Sequence, residues 1–279
     1  MKNIIIEGGE KMKYENVDRL LQGLVDKGLP GCTLHIAQHG KMLYEGCFGY
    51  SDVENREKLQ YTSVFRMASM SKLPLYTTLM ILYERGLLIM DDPISKYFPE
   101  WKTSKKVIKD SNGKEQVVDT NRPILVKDVM TMACGLPYCM PFMKDSQNYT
   151  ERSMASCMAP LWEKGSYDLR EEIKAMSGAV LAFEPGTHWM YGYSSELAAG
   201  LIEAICDKPA NDVFADILFK PLGMTDTAPH FFGDIKERMV CLYAEKPDVA
   251  GKSVKDTPYE SLLIGNTGQL AVCRVAKIS

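Results

Sequence analysis

Long apolar runs are missing from this chain: no segment of its 279 residues approaches the ~18 consecutive apolar positions of a membrane-spanning helix. Its start, Met1 to Tyr14, offers only Ile4-Ile5-Ile6 ahead of Glu7-Gly8-Gly9, where a secretory core needs roughly 7–15 apolar residues. No signal peptide is expected, residues 1–14 read as a disordered leader, and the chain reads as cytoplasmic. A basic excess is missing too. Lys and Arg number 33 against 36 Asp and Glu, a net charge of −3, which gives no electrostatic case for nucleic acid or an acidic membrane as partner. The eight cysteines contain no C-x-x-C pair, and Cys134 and Cys139 have no histidine near them. The thiols read as reduced and mostly buried. Four histidines (His35, His39, His188, His230) show no ligand spacing, so neither a metal nor another cofactor is expected. Repeats and low-complexity tracts are absent. What is there is ordinary: 46% hydrophobic and 25% charged residues, with ample core for one large domain or two smaller ones. Composition says nothing of oligomeric state.

One stretch organises the rest. Phe65-Arg66-Met67-Ala68-Ser69-Met70-Ser71-Lys72-Leu73-Pro74 runs into a helix-periodic segment, Leu75, Tyr76, Leu79, Met80, Leu82 and Tyr83, that ends at Gly86. With Ser69 at or just before the first turn, Lys72 lies three residues on and on the same face. A hydroxyl is a poor nucleophile at its own pKa and needs a partner to take its proton. A lysine can serve where burial and a nearby cation depress its pKa. The helix N-terminus favours negative charge growing on the oxygen. The competing reading is an N-cap serine beside a solvated lysine. The pattern alone decides little, since about one S-x-x-K is expected by chance in a chain of this length. A second does occur, Ser111-Asn112-Gly113-Lys114, but between Val107-Ile108 and Val117-Val118 it reads as a hairpin turn.

In chain order, Asn16–Lys27 carries Val17, Leu20, Leu21, Leu24 and Val25 at helical spacing, and Thr33–Gln38 with Lys41–Tyr50 read as strands joined at His39-Gly40. A helix is expected over Ile124–Met132 before Gly135, and another over Tyr167–Met176. Residues 137–166, rich in Met, Ser and Pro, read as an irregular rim or lid. Pro185-Gly186 then delivers the aromatic segment Trp189-Met190-Tyr191-Gly192-Tyr193, and Ser194 or Ser195 is expected to cap a helix facing inward with Leu197, Leu201, Ile202 and Ile205. Tyr191 stands in a loop before that helix, where it reads either as a cleft group or as a packing tyrosine. A short helix begins near Phe214 and ends in a Pro-Leu-Gly-Met turn. Weak strand signals lie around Met239–Ala244, and a Gly265-Asn266-Thr267-Gly268 loop follows.

Taken together these blocks resemble the serine β-lactamase and penicillin-binding superfamily, nearest its class C-like, esterase-type branch. The likeness rests on Gly28-Leu29-Pro30-Gly31, Phe48-Gly49-Tyr50, Phe65 to Lys72, and Asp91-Asp92-Pro93 with Tyr97-Phe98-Pro99-Glu100. It continues in Pro185-Gly186 with Tyr191 six residues after the proline, and in Pro221-Leu222-Gly223-Met224-Thr225-Asp226-Thr227. The resemblance implies an α/β (α+β) fold, an antiparallel sheet flanked by helices with a mostly helical lobe at about 60–215, within a hydrolase domain over 15–279. It implies that Ser69 attacks a carbonyl while Lys72 and Tyr191 move the proton, that water clears the acyl-enzyme, and that Trp189 and Tyr193 belong to the substrate site. The substrate class it implies is a small ester or amide, including β-lactams and D-amino-acid peptides. The implied oxyanion hole uses the serine N–H and one from a late sheet strand.

Three departures qualify this. Tyr193 stands at the third position of the family's Tyr-x-Asn element; Tyr193-Ser194-Ser195 is an alternative placement, although spacing from Pro185 favours Tyr191. Met132-Ala133-Cys134-Gly135 replaces the frequent His-Thr-Ser-Gly. The late Lys-Thr-Gly or His-x-Gly does not occur, so the domain is expected to be C-terminally incomplete, its obvious sheet reduced to the 33–50 hairpin. The rival expectation is a catalytically impaired or non-catalytic binding domain of the same fold.

Overall fold

A computed structural model of the chain describes residues 14–228, 233–245 and 253–255. The expected leader lies outside these residues except for Tyr14. That residue is an ordered N-cap whose carbonyl accepts from the N–H groups of Val17 and Asp18 at 2.8 and 3.1 Å. Helix α1 (Glu15–Asp26) turns only Leu21 fully inward and lies on a hairpin of β1 (Gly31–Gln38) and β2 (Lys41–Asp52). The Tyr44 hydroxyl ties strand to helix by donating to Asp18 at 2.6 Å. The hairpin turns at His39-Gly40, where both residues have positive φ, 50° and 74°, as a two-residue turn matched to strand twist requires. A short β3 (Glu57–Lys58) pairs with β2, so the sheet has three antiparallel strands in the order β1-β2-β3, one more than the hairpin expected.

Helix α2 (Lys72–Glu84) follows a 3₁₀ turn over Ala68–Ser71 and stops ahead of Gly86, φ 72°. The second S-x-x-K forms the expected turn: β4 (Lys105–Lys109) and β5 (Glu115–Asp119) pair antiparallel around it, and Asp110 accepts from the N–H groups of Asn112 and Lys114. Helix α3 (Val126–Met130) is shorter than expected and ends at Thr131 rather than at Gly135. Its entry is fixed by the Asp91-Asp92-Pro93 block, since Val126 N–H donates to the Asp92 carbonyl at 3.0 Å and Lys127 N–H to that of Met90 at 2.9 Å.

The 137–166 segment corrects the sequence reading. Most of it is helix α4 (Tyr149–Lys164), capped by the Asn148 side chain. Its buried face is Met154, Ala155 and Met158, a small-and-flexible pattern with Pro160 inside, which weakens the helical signature. Helix α5 (Leu169–Met176) opens with a capping box between Asp168 and Glu171, and β6 (Val180–Leu181) runs parallel beside β4. Helix α6 (Ser194–Cys206) is buried on every side from Ser194 to Ile202 and forms the axis of the main core, with α2, α3, α5 and α7 (Ala210–Phe214) against it. Neither serine caps it: the N-cap residue is Tyr193, with no side-chain cap.

The last described elements are β7 (Tyr243–Glu245) and β8 (Ser253–Lys255), which pair with each other. The approach to β7 clamps the stretch that leads to Ser69. Val64 N–H donates to the Arg238 carbonyl and Val240 N–H to the Val64 carbonyl, both at 2.9 Å, and the Arg66 guanidinium donates to the Val240 carbonyl at 3.1 Å. Arg238 itself is held by Asp226, from the Pro221–Thr227 block, and by Asp234. The Gly265–Gly268 loop, Cys273 and His230 lie outside the described residues. Of the seven described cysteines, Cys134 and Cys139 are buried and the others half-buried, less enclosed than expected. No described helix is long and apolar enough to cross a membrane.

Candidate active site

Ser69 is exposed and sits in the 3₁₀ turn immediately before α2. The residue before it, Ala68, has φ 43°, a left-handed conformation that an L side chain resists. Such strain at one residue is held by its surroundings, here by the clamp on residues 62–66. Pro74 falls in the first turn of α2, where a missing N–H leaves no helical bond unmade. The turn points the lysine back along the same face, and Lys72 Nζ lies 3.3 Å from Ser69 Oγ.

The third group arrives from far along the chain. The segment from Ala182 to Met190 is bonded to the loop after α3: Ala182 N–H donates to the Gly135 carbonyl, Gly186 N–H to that of Ala133, and Met190 N–H to that of Met132, at 2.8 to 2.9 Å. Met132-Ala133-Cys134-Gly135, the stretch that departs from the family pattern, is therefore the backbone support of the Tyr191 segment. Gly192 is needed where the two segments cross, because a Cβ there would stand 1.7 Å from the Leu136 carbonyl oxygen. Thus held, the Tyr191 hydroxyl donates to Ser69 Oγ and accepts from Lys72 Nζ at 3.1 Å. The hydroxyl, ammonium and phenol converge at one exposed point.

Electrostatics divides the labour differently from the sequence expectation. Burial works to lower the pKa of Lys72, but hydrogen bonds and charge interactions with Tyr191 and Tyr138 outweigh it and hold the ammonium above the ordinary lysine value. Burial works to raise Tyr191, yet its hydrogen bonds to Ser69 and Lys72 and the lysine charge bring the phenol below the ordinary tyrosine value. The depressed group is the phenol and not the amine. The amine lacks the cationic neighbour its own depression required; it is itself the cation that depresses its partner.

Trp189 is 67% exposed, with its ring centroid 6.4 Å from that of Tyr191, and forms an open aromatic wall beside the three groups. Tyr193 is a correction. It is buried, and its hydroxyl donates to the Cys139 carbonyl at 3.1 Å, so it braces the core behind the site and presents no group to the cleft. Tyr138, which sequence reasoning missed, takes the place beside the lysine: its hydroxyl accepts from Lys72 Nζ at 3.3 Å and its ring packs between Tyr191 and Tyr193, at centroid distances of 5.3 and 5.0 Å. The only signal for it was a tyrosine directly after Leu136-Pro137, where the turn from Met132 ends. Among the described residues no cluster of His, Cys, Asp and Glu is arranged to hold a metal ion.

Known proteins are similar to this chain in sequence and in structure. Esterase EstB of Burkholderia gladioli is 25% identical over 206 residues, 74% of this chain and 48% of that protein. The lovastatin esterase of Penicillium rubens is 26% identical over 246 residues, 85% of this chain and 59% of that protein. The chain thus spans about half the length of the curated relatives it matches. EstCE1, a hydrolase with promiscuous acyltransferase activity, superposes with a TM-score of 0.72 at 20% identity, over 94% of this chain and 69% of that one. Simvastatin synthase LovD of Aspergillus terreus also gives 0.72 at 20% identity, over 95% of this chain and 65% of that one. At that identity the structures speak to the fold, which is the α/β β-lactamase and transpeptidase-like fold. The Beta-lactamase family profile matches residues 17–260, most of the chain, which therefore belongs to that family.

Proposed function

We propose that the protein is a serine hydrolase that cleaves ester or amide bonds through an acyl-enzyme on Ser69. The observation that carries this reading is the convergence of Ser69 Oγ, Lys72 Nζ and the Tyr191 hydroxyl within direct hydrogen-bonding reach. In the working form Tyr191 is a phenolate stabilised by the Lys72 ammonium, and the Ser69 hydroxyl donates to it. As Oγ bonds to the substrate carbonyl carbon, the serine proton passes to Tyr191, a general-base contribution of about 10²–10⁴-fold. The carbonyl π pair becomes an oxyanion, favoured by the positive end of α2. When the oxyanion collapses, the bond to the leaving oxygen or nitrogen breaks and Tyr191 returns its proton to that atom. Water repeats the sequence on the acyl-serine, releasing the acid and restoring the enzyme. Esters are the favoured class, because no asparagine amide stands at residue 193 to orient an amide substrate, and the curated relatives named above are esterases.

The test is intact mass after incubation with a fluorophosphonate probe. A single adduct on the Ser69 peptide is expected, and Ser69→Ala abolishes it; wild-type labelling of that variant rejects the reading. Turnover is a second test: saturable, Ser69-dependent steady-state hydrolysis of p-nitrophenyl acetate is expected, and one stoichiometric burst with no turnover after it counts against a hydrolase.

A further inference from the structure

The fold holds Trp189 in place and leaves most of it in water. The side chain is 67% exposed, and its aromatic neighbour among the described residues is Tyr191, with ring centroids 6.4 Å apart and planes 37° apart. Both ends of its stretch are anchored, since Gly186 N–H donates to the Ala133 carbonyl and Met190 N–H to that of Met132. His188 packs on Phe183 at 5.2 Å between centroids, while Trp189 stays on the side of the reactive phenol. Tryptophan is a highly buried residue on average, so one kept open beside reactive groups points to a ligand that covers it.

Apolar surface continues at the start of α2. Met70, next to Ser69, is 56% exposed, and Leu73, next to Lys72, is 69% exposed. An ammonium has three N–H donors, and those of Lys72 go to Ser69, Tyr138 and Tyr191. The site's own cation is therefore committed, and none of these contacts leaves a donor for a substrate carboxylate. An uncharged, apolar ester suits such a rim.

Proton transfer fixes which part of that ester meets Trp189. On the Ser69 chemistry proposed above, the bond from Oγ to the carbonyl carbon forms and the bond from that carbon to the alcohol oxygen breaks. The proton taken from the serine passes from Tyr191 to the departing oxygen. That oxygen must lie within about 2.6–3.2 Å of the Tyr191 hydroxyl. The alcohol therefore leaves the reaction centre on the Tyr191 side. Of the two rings that flank Tyr191, Tyr138 is bonded to Lys72 and packed against Tyr193, which leaves Trp189 to receive it.

We propose that Trp189 is the specificity residue for the leaving alcohol, and that the substrate class is an uncharged ester of an aromatic or broad apolar alcohol whose ring lies on the indole. The proposal rests on the Ser69 reading for its place in turnover, and its test includes a binding measurement that does not.

Benzyl acetate and methoxyethyl acetate share an acyl group and release alcohols of similar acidity, so the ratio of their kcat/KM values reports recognition of the alcohol. Trp189→Ala is expected to lower the benzyl preference about tenfold, and Trp189→Phe, which keeps a ring, to restore most of it. p-Nitrophenyl acetate and butyrate share their alcohol, and their ratio is expected not to move. An unmoved benzyl ratio, or a change confined to the acetate and butyrate pair, overturns the proposal. Binding is read in Ser69→Ala, which cannot be acylated. Benzyl acetate is expected to shift tryptophan emission saturably to the blue as the exposed indole leaves water. Adding Trp189→Phe should remove that shift, although Trp101 and Trp162 remain. No shift, or one that survives the loss of Trp189, also overturns the proposal. If wild type hydrolyses no ester, or Ser69→Ala hydrolyses them equally well, the hydrolase reading fails alone, and the emission titration still decides Trp189.

Discussion

Replacing Gly192 by alanine adds a single methyl group at the point where the Tyr191 segment crosses the loop carrying Tyr138. That methyl would stand 1.7 Å from the Leu136 carbonyl oxygen and 2.9 Å from its carbon, both backbone atoms that cannot swing aside as a side chain can. The crossing must open by more than about 1 Å. The Tyr191 hydroxyl sits 3.1 Å from Lys72 Nζ and closer still to Ser69 Oγ, so an opening of that size breaks one or both hydrogen bonds. A misplacement of about 1 Å in a catalytic group costs on the order of 10²-fold in rate. Overpacking of a tight site costs about 1–3 kcal/mol in stability. Gly192→Ala should therefore fold, melt a few degrees lower, and react with a fluorophosphonate about a hundredfold more slowly than wild type. Stopped-time labelling with thermal melting on the same preparation measures both. Wild-type labelling in a folded Gly192→Ala protein would refute the claim that this close crossing positions Tyr191.

Two other outcomes follow from buried charge. Arg122 forms two hydrogen bonds with Asp128, at 2.8 and 2.9 Å, and Asp128 also caps α3 through Leu125 N–H; Arg122→Ala leaves that carboxylate buried without its cation and should cost about 3 kcal/mol, read as a fall in Tm of roughly 10 °C that Asp128→Asn in the same chain partly restores. Burial, with the Glu196 charge adding to it, pushes the Glu172 carboxyl up to about 8 from 4.5, so the folded chain keeps a proton that the unfolded chain releases. Its contribution is full below about pH 4.5 and is lost as pH rises toward 8, at no more than about 1.4 kcal/mol per unit. Unfolding curves should show Glu172→Gln gaining on wild type across that window, and parallel curves would contradict it.

Much of the site was legible because its signals are local or ordered in sequence. Ser69 and Lys72 are one helical turn apart, and Tyr191 could be reached by counting from Pro185. The hairpin at His39-Gly40 and the turn at Asn112-Gly113 follow from residues that accept positive φ. Tyr138 was invisible because its partner lies 66 residues away and nothing local distinguishes it from a packing tyrosine. Tyr193 was misread for the opposite reason: its place in a sequence element suggested the cleft, while the fold turns the ring onto Cys139. Helix α4 escaped because methionine and alanine write a faint stripe and Pro160 reads as a breaker. The Glu196 charge acts on Glu172 because α5 and α6 pack together, and their separation in sequence carries no sign of that contact. Lys72 was expected to be the depressed group on the strength of burial and a nearby cation, but its neighbours are the Tyr191 and Tyr138 phenols, which raise it.

The clamp around the nucleophile has a consequence for synthesis. The segment from Thr62 to Arg66 is fastened by Arg238 and Val240, across 176 and 174 residues respectively. A ribosome delivering residues in order exposes Ser69 long before those partners emerge, so the strained Ala68 turn has nothing to hold it during most of translation. Reactivity should then switch on late, as a step that follows the helices rather than accompanying them, and nascent chains halted before residue 226 should carry a compact helical core with a silent serine.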